Sequence, residues 1–130
     1  MKPDRFLGNK QEALIKKYQL EVDRQISNMP LGWVDLLDEM IPKLIEAGWD
    51  RKVSQIKSKF GGLRFYVHDA PKEVYRIIGE AEGKSYSLCE ACGKDIGVTD
   101  ESQRNYFQTR CEEHKNLGWR EIDKMSGIEW

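Results

Sequence analysis

Residues 53 to 68, V-S-Q-I-K-S-K-F-G-G-L-R-F-Y-V-H, constrain the fold of this chain more than any other stretch. Two β-rich runs flank Gly61-Gly62, and a Gly-Gly pair signals a two-residue hairpin because both turn positions call for positive φ. Folding on that turn predicts Phe60 opposite Leu63, Ser58 opposite Phe65 and Ile56 opposite Val67, a mostly apolar face. The other face then pairs Lys59 with Arg64, Lys57 with Tyr66 and Gln55 with His68. A one-residue slip would mix the two sets, so the pattern itself specifies the faces.

Like charges directly opposite each other destabilise a bare sheet, so the polar face raises a functional question. Residues 51 to 68 hold Arg51, Lys52, Lys57, Lys59 and Arg64 and no carboxylate. Lys57, Lys59, Arg64 and Tyr66 are the candidate partner- or anion-binding residues, for phosphate, a nucleic-acid backbone or an acidic protein surface. The alternative is that these cations lie in solvent, or meet acids from helices of the same chain. Residues 35 to 50 offer Asp35, Asp38, Glu39, Glu46 and Asp50 against a single Lys43.

At 130 residues the chain reads as one domain with a modest core. A net charge of −1 with 33% charged residues argues against a general high-affinity DNA coat. No apolar run approaches the ~18 residues that span a bilayer, and the start M-K-P-D-R-F-L-G-N-K lacks a signal peptide's apolar core. The expected location is therefore the cytoplasm, where disulfides are disfavoured and metal binding is the leading use for three cysteines.

Three helices are predicted around the hairpin. Asn9 and Glu12 resemble a capping arrangement at the head of a helix over 10–27, with Leu14, Tyr18, Val22 and Ile26 as its apolar stripe. After the turn Pro30-Leu31-Gly32-Trp33, the residues Val34, Leu37, Ile41, Leu44 and Ile45 trace a second helical face. Pro42 should kink or split that helix, and Gly48 should end it. Trp33 and Trp49, which bracket it, read as core or core-edge residues. Pro71 opens a third helix with Val74, Ile77, Ile78 and Ala81 on one face, fraying at Gly83, and placed to cover the apolar side of the hairpin. The tail from 119 carries Trp119, Ile122, Met125 and Trp130 and reads as a short docking helix or a loose end.

The chemistry is concentrated between residues 89 and 114. Cys89-Glu-Ala-Cys92-Gly and Cys111-Glu-Glu-His114 form a C-x-x-C and a C-x-x-H pair, 18 residues apart, a spacing suited to structural zinc. A two-residue gap lets one tight turn supply two ligands, and Gly93 gives that turn freedom of φ. Tyr106-Phe107 reads as a short strand beside the site. Four protein ligands leave no open coordination position, so the expected zinc is structural rather than catalytic. A zinc-deaminase arrangement is excluded because His68-Asp69-Ala70 lacks the glutamate that chemistry needs. His68 reads as a sheet-face residue. No P-loop, nucleophile elbow or paired-carboxylate motif is present.

I-K-S-K-F-G-G-L-R-F-Y, preceded by G-W-V-D-L-L-D-E and followed by A-E-G-K-S-Y-S-L-C-E-A-C-G and C-E-E-H, resembles a group of small proteins. These are mostly uncharacterised zinc-binding proteins encoded by bacteriophages, prophages and some bacteria. The resemblance covers residues 30 to 114 and falls on Lys57, Lys59, Phe60, Gly61, Gly62, Leu63, Arg64, Tyr66, Cys89, Cys92, Cys111 and His114. It departs where a tryptophan commonly precedes the third cysteine and this chain has Tyr106-Phe107. It implies a phage or prophage accessory protein, acting in the host cytoplasm, and it supplies no activity to transfer. The expected architecture is α+β: helices on one side of a small antiparallel sheet, with a zinc knuckle locking the C-terminal third. The expected function is binding, with inhibition or modification of a host macromolecule and more readily a non-enzyme than an enzyme. The alternatives are a zinc-stabilised nucleic-acid binder, and binding or turnover of a small phosphorylated ligand.

Overall fold

A computed structural model describes residues 8–23, 27–59, 62–96 and 111–114. Ile26, Phe60, Gly61, Tyr106-Phe107 and the tail from 119 lie outside the described residues. The architecture is α+β. Helices α1 (Asn9–Tyr18), α2 (Val34–Glu46) and α3 (Lys72–Ser85) accompany four short strands, β1 (Glu21–Val22), β2 (Lys52–Val53), β3 (Gln55–Lys59) and β4 (Gly62–Tyr66). β3 and β4 form the antiparallel hairpin, and β1 pairs in parallel with β2.

The hairpin faces are those read from the sequence, but the register is not. Ser58 pairs with Leu63, Ile56 with Phe65, Lys57 with Arg64, Gln55 with Tyr66 and Lys59 with Gly62, a shift of two residues. Because side chains alternate with period two, such a shift changes every partner while leaving every face intact. Ile56, Leu63, Phe65 and Val67 are all buried. Gly62 thus belongs to a strand and not to a positive-φ turn. A Cβ there would lie 2.3 Å from Cζ of Tyr86, so an aromatic ring is packed where a side chain at this position would be.

Both edges of the hairpin are occupied. Ser85 Oγ, at the end of α3, accepts from the Leu63 N–H of β4 at 2.8 Å. On the β3 side, Asn28 N–H donates to the Ile56 carbonyl at 2.7 Å and Ser27 Oγ accepts from Ile56 N–H at 3.3 Å. Covered edges deny a passing strand its template.

The first helix is shorter than 10–27. It stops at Tyr18, because Gln19 turns left-handed (φ 54°, ψ 48°) and Leu20 N–H reaches back to the Ile15 carbonyl at 2.9 Å. This is a glycine-style helix ending made by a glutamine. Arg51 caps it from a distance, its guanidinium donating to the Tyr18 carbonyl at 3.0 Å. Val22, placed on the helical stripe by periodicity, lies in β1 instead.

The second helix is not split at Pro42. Proline withdraws the N–H that Asp38 carbonyl would accept. The Tyr18 hydroxyl stands in, 3.3 Å from that carbonyl and 2.7 Å from Asp38 Oδ1. Leu36, Leu37, Met40, Ile41 and Leu44 form the buried face, so Val34 and Ile45 sit at its margins. Gly48 ends the helix at φ 99°, as expected. The third helix buries Val74, Ile77, Ile78 and Ala81 as read, follows Pro71 rather than containing it, and continues past Gly83 to Ser85. These three faces and the inner hairpin face share one core, in which Trp33, Leu37, Ile41, Leu44, Ile56, Leu63 and Val74 are completely buried.

Candidate metal centre and contact face

The segment after α3 folds back on itself. Leu88 bridges Asp95, Ile96 N–H donates to the Ser87 carbonyl at 2.8 Å, and Cys89 N–H donates to the Lys94 carbonyl at 2.9 Å. At the tip, Gly93 N–H closes on the Cys89 carbonyl at 2.8 Å with Gly93 at φ 81°, a conformation that favours glycine. This tight turn presents Cys89 and Cys92 on one side. A second turn, closed by His114 N–H on the Cys111 carbonyl at 3.0 Å, presents Cys111 and His114.

The two turns converge as the spacing predicts. One ligand atom from each of Cys89, Cys92, Cys111 and His114 lies within 4.8 Å of all the others. Cys92 Sγ is 3.7 Å from Cys111 Sγ, and His114 Nδ1 is 3.9 Å from Cys89 Sγ and 3.0 Å from Cys111 Sγ. Such a cluster can hold a metal ion. Cys89 and Cys111 are buried with Ala91 in a small cluster of their own, Cys92 is exposed, and His114 is half-buried.

The electrostatics favour a first thiolate at Cys89. Burial pushes its thiol up, but backbone N–H groups of Cys111, Cys92 and Ala91 outweigh that and bring it down to about 7. Cys92 goes the other way: burial, with the sulfurs of Cys89 and Cys111 beside it, pushes it up to about 11 against the Lys94 N–H. A cation would have to displace protons to complete the set, so its binding is coupled to pH.

The knuckle is keyed into the rest of the fold at three points that the sequence reading did not find. The 3₁₀ turn Leu31–Trp33, which leads into α2, meets it backbone to backbone. Gly32 N–H donates to the Glu90 carbonyl at 2.7 Å, and a Cβ on Gly32 would stand 1.9 Å from the Cys89 carbonyl oxygen. Trp33 Nε1 donates to the Leu88 carbonyl at 3.1 Å, which gives this fully buried indole its polar partner. The Ser58 hydroxyl of β3 donates to the Glu90 carboxylate. The signals were a glycine before a tryptophan and a glutamate inside the C-x-x-C pair, neither of which names its partner.

The outer hairpin face divides its candidates. Arg64 is ion-paired with Glu82 of α3 and is not available as an unneutralised cation. The acids of residues 35–50 are not its counter-ions: Asp38 pairs with Lys17, and Glu39 with Lys43 and Lys84. Lys57 Nζ sits 5.7 Å from the Tyr66 ring centroid, and Tyr66 is 40% exposed, one of two large exposed apolar side chains among the described residues. Lys59 faces Gly62 across the ladder and is exposed. His68 Nε2 lies 3.1 Å from Ser54 Oγ, away from the metal cluster. Among the described residues, no helix is long and apolar enough to cross a membrane. No protein-family model matches the chain, and no curated protein or solved structure matches it either.

Proposed function

We propose that this is a zinc-stabilised binding protein of the phage or prophage accessory type, which engages a host macromolecule and inhibits or modifies it. Zinc is the ion that best suits the donor set. Three thiolates and an imidazole are soft to borderline ligands, and zinc takes four of them in a tetrahedron. With zinc–sulfur bonds near 2.3 Å, tetrahedral geometry sets sulfurs about 3.8 Å apart, against 3.7 Å for Cys92 and Cys111. Four protein ligands leave the ion no site for water or substrate, which supports a structural role. The observation that carries the binding role is the exposed Tyr66 ring with the half-buried Lys57 beside it on an edge-protected hairpin, an aromatic platform next to a cation.

The discriminating experiment passes host lysate over the immobilised protein and over a Lys57→Ala/Tyr66→Ala variant of matched thermal stability. One host protein retained by the first and released by the second is expected. Equal retention on both, or none on either, removes the hairpin as the contact face. A second reading, nucleic-acid binding, is favoured by the same pair, since Tyr66 can stack on a base while the lysines meet phosphate. It requires binding to single- or double-stranded probes that weakens steeply as salt rises.

A further inference from the structure

Glu90 stands between two of the four metal ligands, yet its side chain serves neither. It is 5% exposed, and its carboxylate accepts from the Ser58 hydroxyl in the middle of β3. Its backbone carbonyl accepts from Gly32 at the head of α2. One residue of the knuckle therefore touches both of the elements that the knuckle meets. A carboxylate is rarely buried without hydrogen bonds, because desolvation without compensation is costly. Its seat exists only while the Cys89–Gly93 turn holds its shape.

We propose that Glu90 is a positioning residue that couples metal occupancy to the order of the hairpin. This rests on the zinc-site and contact-face readings above and adds their regulation. With the ion bound, the two ligand turns are clamped together, Glu90 is held against β3, and Ser58 is fixed between Lys57 and Lys59. Without the ion, three cysteines and a histidine have no common centre. The turn can open, Glu90 can regain water, and Ser58 and Gly32 both lose their partners. Coupling of this kind is reciprocal: what stabilises the hairpin must also tighten metal binding, and by the same factor.

The test uses the full chain. Zinc affinity is measured by competition with a chromophoric chelator for the wild type and for Ser58→Ala, Glu90→Ala and Glu90→Gln. Amide hydrogen exchange of residues 55–59 is followed with and without chelator. Ser58→Ala and Glu90→Ala are expected to weaken zinc binding by about ten-fold, as for loss of an outer partner of a metal site. Glu90→Gln, whose amide oxygen can still accept from Ser58, should recover part of that loss. Chelation should speed exchange in β3 more than in α1, whose side chains and last carbonyl bond to Met29, Asp38 and Arg51. A purely local role for Glu90 would leave both the β3 exchange and the Ser58→Ala affinity where they were, and that result overturns the proposal. If Glu90→Ala does not fold, Ser58→Ala at its half-buried strand position still decides. A wild type that takes up no zinc sinks the zinc reading and this coupling together. A wild type that binds zinc while Ser58→Ala binds within about two-fold of it sinks the coupling alone.

Discussion

A methyl group at Gly32 would stand 1.9 Å from the Cys89 carbonyl oxygen, 2.6 Å from Gly93 N and 2.7 Å from the Glu90 carbonyl carbon. All three are backbone atoms, so nothing can rotate away. Gly32→Ala should therefore destabilise the protein by about 3 kcal/mol, the upper range for forced overpacking, in urea unfolding at fixed zinc. Gly79 is the control. It lies in α3, exposed, with nothing within 4 Å of where its Cβ would be. Gly79→Ala should stabilise by about 0.5–1 kcal/mol, because alanine restricts the unfolded chain and suits a helix interior. If both variants moved stability in the same direction, the backbone-to-backbone docking of the knuckle would be wrong. Gly62 falls between them: its obstacle is the Tyr86 ring, a side chain that can yield.

The first two helices are each completed by a residue from elsewhere. α1 ends on a left-handed Gln19 with Arg51 on the Tyr18 carbonyl, and α2 carries Pro42 with Tyr18 attending the Asp38 carbonyl. The same tyrosine hydroxyl, followed by Lys17, holds the Asp38 carboxyl below the usual aspartate range. A carboxyl depressed in the folded state adds stability above its unfolded pKa and loses it as pH falls through the folded value. Wild-type stability should thus decline below about pH 4, in part through this group. Tyr18→Phe should cost about 1 kcal/mol at neutral pH, as for one hydrogen bond. It should also flatten that decline, read from urea midpoints across the acid range. An unchanged acid limb in Tyr18→Phe would detach Asp38 from the stability of α1 against α2.

At the scale of the whole molecule, one large core and one small cluster around Cys89, Ala91 and Cys111 are joined through Gly32, Trp33 and Glu90. Apolar burial in that small cluster is slight among the described residues, so on the zinc reading proposed above a bound ion would supply much of its stability. Elemental analysis should find one zinc per chain. Chelator should lower the melting temperature, and Cys111→Ser should reproduce that loss without chelator. A melting curve indifferent to chelator would mean that the knuckle is held by its contacts with α2 and β3 alone. Because thiols must shed protons to bind, zinc should also leave on acidification, with the melting temperature falling in step.

Much of this protein was written in local pattern. Val74, Ile77, Ile78 and Ala81 fixed the inner face of α3, and alternation fixed which hairpin residues are buried. Cys89, Cys92, Cys111 and His114 announced their cluster, because two-residue gaps place both ligands of a pair in a single turn. Tertiary structure alone decided the rest. The register lies two residues from the one read, with the Tyr86 ring in the space beside Gly62, and alternation could not detect this since the faces are unchanged by such a shift. The first helix ended early and the second continued through proline because Arg51 and Tyr18 reached them from afar. Arg64 met Glu82 of α3 rather than the acids of residues 35–50. Periodicity records how a residue relates to its own element. Which element comes to rest against it is set by packing across the whole chain, and no local window contains that.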